Sequence, residues 1–84
     1  MKKILIVDDD EELRANLSEI LKGAGYQTAE APSGKETIEK ISAENFDIML
    51  LDLMMPGMSG IDTLIEIRKI NPRIRVIMIT AFAT

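Results

Sequence analysis

The stretch Phe46 to Gly60, FDIMLLDLMMPGMSG, limits what this chain can fold into more than any other. Ile48, Met49, Leu50 and Leu51 show no polar alternation, which is the pattern of a strand buried on both faces inside a parallel sheet. The run ends in one carboxylate, Asp52, and Pro56-Gly57 and Ser59-Gly60 then supply a turn. In an open α/β sheet the ligand crevice lies outside the carboxyl ends of the strands, so a carboxylate at that exit is placed for chemistry. The plainer reading is an aspartate that only caps its own loop. Ser59, with Asp62 three residues on, reads as a capping pair that starts the next helix.

A second apolar run, Ile4 to Val7, also ends in acid, at Asp8, Asp9 and Asp10. Either Asp9 or Asp10 can cap the helix that follows, and Glu11 and Glu12 in its first turn suit the positive end of the helix dipole. Leu13, Leu17, Ile20, Leu21 and Ala24 form one stripe, which predicts a core-facing helix stopped by Gly23 and Gly25. Tyr26 to Ala31 alternates like a strand exposed on one side or lying at an edge. Ser33 and Glu36 form a capping box for a short helix to about Ala43, anchored by Ile38 and Ile41. Ile61 to Ile70 is helical and ends before Asn71-Pro72. Its apolar residues Ile61, Leu64, Ile65, Ile67 and Ile70 span roughly 220° of the helical wheel, wider than one sheet contact requires. Ile74 and Val76 to Ile79 make a last strand that leads into Thr80. The alternation of strand and helix predicts right-handed crossovers and one parallel sheet.

Composition narrows the chemistry. With 84 residues the chain is expected to be one small domain spanning residues 1–84. A net charge of −4 argues against sequence-independent nucleic-acid binding, which needs a basic face. There is no cysteine and no histidine, so disulfides, zinc sites and histidine acid/base catalysis are excluded, and any metal is held by oxygens. The apolar run after Met1-Lys2-Lys3 is too short for a signal peptide, and no stretch reaches membrane-spanning length, so the chain is expected to be cytoplasmic. Asp8 and Asp9 after the first strand, Asp52 after the third and Thr80 after the fourth converge at one end of the sheet. Clustered carboxylates repel, raising at least one pKa unless a cation joins them, and Mg²⁺ suits such a set. An aspartate beside that ion can attack a phosphoryl group, and Thr80 can donate a hydrogen bond to the product.

With ILIVDDD, APSGKE at Ala31 to Glu36, DIMLLDLMMPGMSG and VIMITA in place, the whole chain resembles a response-regulator receiver domain of two-component signalling, the CheY-like family. The resemblance implies a flavodoxin-like three-layer fold with strand order 2-1-3-4, cut to (βα)3β with the fifth strand and last two helices missing. It implies that Asp52 accepts a phosphoryl group from a histidine kinase or phosphotransfer protein, so the chain is a phosphoacceptor and not an enzyme. Asp8, Asp9 and Asp52 would hold Mg²⁺, with Asp9 a direct ligand and Met54 offering its backbone carbonyl. Thr80 matches the family's switch residue. The family's active-site lysine and aromatic switch partner have no counterpart in these residues, which leaves a second expectation: a truncated form that does not transfer phosphate. A phosphatase of another family fits poorly, because no second aspartate follows Asp52 in an Asp-x-Asp arrangement. The last strand, apolar nearly throughout with nothing following to pair with it, predicts a homodimer or higher homo-oligomer.

Overall fold

A computed structural model describes residues 2–79. Its elements are β1 (Lys3–Val7), α1 (Glu11–Gly23), β2 (Gln27–Ala31), α2 (Gly34–Ala43), β3 (Ile48–Asp52), α3 (Gly60–Ile70) and β4 (Arg75–Ile79). All three strand pairings are parallel, in the order β2-β1-β3-β4, as the resemblance implied. The first crossover runs one way along the sheet and the next two run back. Right-handed connections therefore put α1 on one face and α2 and α3 on the other, giving three layers.

The strand pleat explains the core. Leu5 and Val7 of β1 and Met49 and Leu51 of β3 point to the α2/α3 side, where they meet Ile41 of α2, Ile67 of α3, Phe46 and Ile74. Ile4 and Ile6 point the other way and are buried as well, so β1 is covered on both faces. In β3 the cover is unequal: Met49 and Leu51 are fully buried, whereas Ile48 and Leu50 are half-buried. The caps form where the sequence placed them. Asp10 accepts from the N–H groups of Glu12 and Leu13, Ser33 from Glu36 and Ser59 from Asp62.

The stripe expected to turn α1 toward the core is only partly used. Leu17 and Leu21 are half-buried, but Leu13 and Ala24 are exposed and Ile20 is 67% exposed. The buried position is Ser18, whose hydroxyl lies 2.6 Å from that of Thr28 on β2. The physical reason is lateral placement. The helix packs on β1 and β2, so its polar centre meets the sheet and the Leu13/Ile20 line is left exposed. On α3, likewise, Ile67 is buried and Leu64 half-buried, while Ile61, Ile65 and Ile70 are exposed. β4 lies at the edge of the sheet, and Ile77 and Met78 are 52% and 45% exposed. Among the described residues no helix is long and apolar enough to cross a membrane.

Candidate functional site

Two neighbouring central strands, β1 and β3, run parallel and end together, and their first residues beyond the apolar run are acidic. Asp8 follows Val7, continuing the ladder by donating its N–H to the Ala31 carbonyl at 3.2 Å. Asp52 is the last residue of β3, paired in register with Ile79 of β4. Each carboxylate is 5% exposed, whereas Asp9 is exposed. One carboxylate oxygen from each of Asp8, Asp9 and Asp52 lies within 4.8 Å of the other two.

Local hydrogen bonds fix the orientation of this cluster. Asp8 Oδ1 accepts from the Asp10 N–H at 2.9 Å, and Asp52 Oδ1 accepts from the Met54 N–H at 3.0 Å. Asp52 Oδ2 accepts no hydrogen bond from a described residue. Met54, two residues past Asp52, is thereby tied to its carboxylate while its own side chain is exposed. Thr80 lies outside the described residues. The structure thus brings Asp8, Asp9, Asp52 and Met54 together.

One supporting residue, Arg14, escaped the sequence reading, and the contact made by a second, Gly60, went beyond the turn it was read as. The Arg14 guanidinium donates through Nη1 to the Asp8 carbonyl at 2.6 Å and through Nε to Glu30 at 3.3 Å, holding the chain just before the α1 cap. The available signal was a lone cation one turn into an acidic helix start. Gly60 stands against β3's exit: a Cβ built on it would lie 2.5 Å from the Asp52 carbonyl oxygen.

Burial pushes the Asp8 carboxyl above its ordinary value of 3.8; the Asp10 N–H opposes this, and the charge of Asp52 and the neighbouring Asp9 carboxyl add to the rise. Among the described residues no lysine or arginine pairs with any of the three carboxylates. With a raised folded value, the contribution of Asp8 to stability is fully present below 3.8 and is lost as pH rises through the folded value. Asp52→Asn keeps an oxygen for the Met54 N–H and removes the charge facing Asp8. In metal-free buffer near neutral pH it should melt higher than the parent by about 5 °C, the shift that about 1 kcal/mol gives a domain of this size. The gain should shrink as pH is lowered through the Asp8 titration. Calorimetry across that range is the check, and a strongly destabilised Asp52→Asn would show that the charges do not oppose one another.

The donor set is three carboxylates, and so fits a hard cation such as Mg²⁺, which takes one or two carboxylates and keeps several waters. A soft or imidazole-seeking metal finds no thiolate or histidine anywhere in the chain.

The family described as response regulator receiver domain matches residues 4–84. Among curated relatives, sporulation initiation phosphotransferase F of Bacillus subtilis is 42% identical over 96% of this chain and 65% of its own length. Chemotaxis protein CheY of Thermotoga maritima is 43% identical over 95% of this chain and 68% of its own. The chain thus spans about two thirds of the length of these relatives. Among solved structures, the response regulator TrrA of Thermotoga maritima, in complex with Mg²⁺ and BeF, superposes with a TM-score of 0.92 at 40% identity, covering 99% of this chain and 72% of that one. TrrA in complex with the histidine kinase ThkA gives 0.91 at 39% identity, covering 100% and 72%. A βαβαβαβ chain with sheet order 2-1-3-4, acid-terminated central strands and these relatives belongs to the receiver domain family of two-component response regulators.

Proposed function

We propose that Asp52 is the phosphoacceptor of this receiver, taking a phosphoryl group from a histidine kinase or phosphotransfer protein, with Mg²⁺ bound by Asp8, Asp9, Asp52 and the Met54 carbonyl. The observation that carries the reading is a buried Asp52 at the end of a central strand, with a carboxylate oxygen within 4.8 Å of oxygens of two further carboxylates. When bound, Mg²⁺ would offset the negative charge of the carboxylates and of the incoming phosphoryl oxygens. The Met54 N–H holds Oδ1, so the carboxylate presents Oδ2 in one orientation. Its lone pair forms the O–P bond as the P–N bond of a phosphohistidine breaks and that electron pair returns to the imidazole. Asp8, through the Asp10 N–H and the Arg14 contact to its carbonyl, keeps the first ligand strand in place. Thr80 is proposed as the hydrogen-bonding switch residue.

Support for the partner and the metal comes from TrrA, solved once with Mg²⁺ and BeF and once with a histidine kinase. Residues 1–84 are proposed to act as one receiver unit in the cytoplasm. The 84-residue chain is also proposed to pair with itself through β4, where exposed apolar side chains lie at a sheet edge.

The test is incubation with a small-molecule phosphodonor and Mg²⁺, followed by intact-mass measurement. Addition of one phosphoryl group to the parent and none to Asp52→Asn is the expected result. Equal labelling of Asp52→Asn would move the acceptor elsewhere. No labelling of the parent would favour the competing reading, a self-associating chain without phosphotransfer.

A further inference from the structure

The opposite end of the sheet carries a cleft that the phosphoacceptor chemistry does not use. It opens where β3 and β4 begin, has a volume of about 360 Å³, and is lined by Lys2, Arg73 and Arg75 together with Asn45, Asn71 and Asp47. We propose that this cleft binds a phosphate dianion, either free or as the monoester of a small molecule.

The charge balance points there. The ion pairs among the described residues are Lys3 with Glu44, Arg14 with Glu30 and Lys69 with Glu66, so Lys2, Arg73 and Arg75 are paired with no described carboxylate. Asp47, the one acid in the lining, already accepts through Oδ2 from the Lys3 N–H at 2.8 Å. Three cations against one carboxylate leave two net positive charges, which match a dianion better than a single carboxylate. The carboxyl ends of α2 and α3 approach this end of the sheet and oppose anion binding, each with roughly half a negative charge that fades within one turn. Arg68 reduces this opposition by donating Nη1 to the Pro72 and Ile74 carbonyls, which places a cation beside two of the nearby acceptors.

Donor geometry adds to the charge. Asn71 Oδ1 accepts from the Arg73 N–H at 3.1 Å, so its carboxamide NH₂ remains to donate. Two guanidinium forks with carboxamide donors suit the several oxygens of a phosphate, which arginine can bind bidentately. The volume lies within the range of small-ligand sites. The plain alternative is a set of solvated cations with no preference among anions, and it makes a different prediction.

The experiment is an NMR titration of the metal-free 84-residue chain with inorganic phosphate, with adenosine monophosphate and, at matched ionic strength, with chloride. Phosphate or the monoester should shift the Arg73 and Arg75 Nε–H and the Asn71 side-chain amide resonances saturably, and chloride should not. Tighter binding of the monoester identifies an ester ligand, and equal binding identifies free phosphate. Arg73→Gln combined with Arg75→Gln should weaken binding at least tenfold with an unchanged melting temperature. Asp52→Asn should bind like the parent, which separates this site from the carboxylate cluster. Shifts that match those of chloride, or a double variant that titrates like the parent, would overturn the proposal.

Discussion

Gly60→Ala should lower the melting temperature by about 10–20 °C, the loss expected if overpacking costs about 2–3 kcal/mol in a domain of this size. The cause is a backbone contact. A Cβ on Gly60 would meet the Asp52 carbonyl oxygen at 2.5 Å and the Leu53 Cα at 2.6 Å. Carbon contacts settle at roughly 3.5–4.0 Å, so the chain itself must move by about 1 Å, because neither neighbour is a flexible side chain. The Gly60 N–H also donates to the Leu53 carbonyl at 3.3 Å, so the same residue closes the loop that starts α3. Since the displaced carbonyl belongs to Asp52, labelling by a phosphodonor should fall even at temperatures where the variant is folded. Gly23→Ala is the matched control: nothing lies within 4 Å of its Cβ, and Ala in place of Gly in a helix is favoured by about 0.5–1 kcal/mol. If the two variants melt alike, the close approach at Gly60 is not what holds this loop.

Gly60 also shows where sequence reasoning stopped short. The segments Ser33-Gly34-Lys35-Glu36-Thr37 and Ser59-Gly60-Ile61-Asp62-Thr63 share one spacing, and each was read only as a cap. In the structure each threonine is fully buried and donates its hydroxyl to the carbonyl of the capping serine four residues earlier, at 2.7 and 2.8 Å. A Cβ on Gly34 would collide with the Thr63 hydroxyl and the Met58 side chain, so the two helix starts pack directly on each other. Local rules give the caps because a cap involves residues three apart. They cannot give the glycine contacts, which join Gly60 to Asp52 and Leu53 across a loop and Gly34 to Met58 and Thr63 around the start of α3.

The same distinction separates what was legible elsewhere. The acid-terminated strands β1 and β3 were readable because an unbroken apolar run followed by aspartate constrains both burial and exit, and a parallel sheet then brings Asp8, Asp9 and Asp52 within 4.8 Å. The direction α1 faces was not readable. Its periodicity marks Leu13, Leu17, Ile20 and Leu21 equally, but which of them is covered depends on where the helix sits across the sheet. The Ser18 hydroxyl, 2.6 Å from Thr28, shows that a polar centre met β2 instead. Arg14 was missed for a related reason, since its acceptors are a backbone carbonyl and a side chain on β2, neither of which leaves a pattern in the sequence.

The 84-residue chain should dimerise, and Ile77→Lys should weaken that dimer by roughly 100-fold, equivalent to about 3 kcal/mol. β4 pairs with β3 on one side, and on the other it has no partner among the described residues, so its edge N–H and C=O groups are a template for another strand. The side chains make that edge adhesive. Ile77 shares a face with Leu50, Met78 shares the opposite face with Leu51, and both are about half exposed on a strand whose composition suits an interior position. Antiparallel pairing about a two-fold axis centred on Ile77 sets that residue beside its counterpart in the second copy, so a lysine there places two ammonium groups together. Val76 is a poorer probe, because it packs against the core and a charge there would compromise folding as well. Exchange of the segment from Ile61 onward between two copies is the rival route, and its interface would not centre on Ile77. Light scattering after size exclusion over a wide concentration range should show a dimer that dissociates on dilution, with Ile77→Lys monomeric at the same concentrations and melting cooperatively. A dimer that survives Ile77→Lys would favour segment exchange, and a compact monomer at every concentration would mean that the exposed edge alone does not drive association.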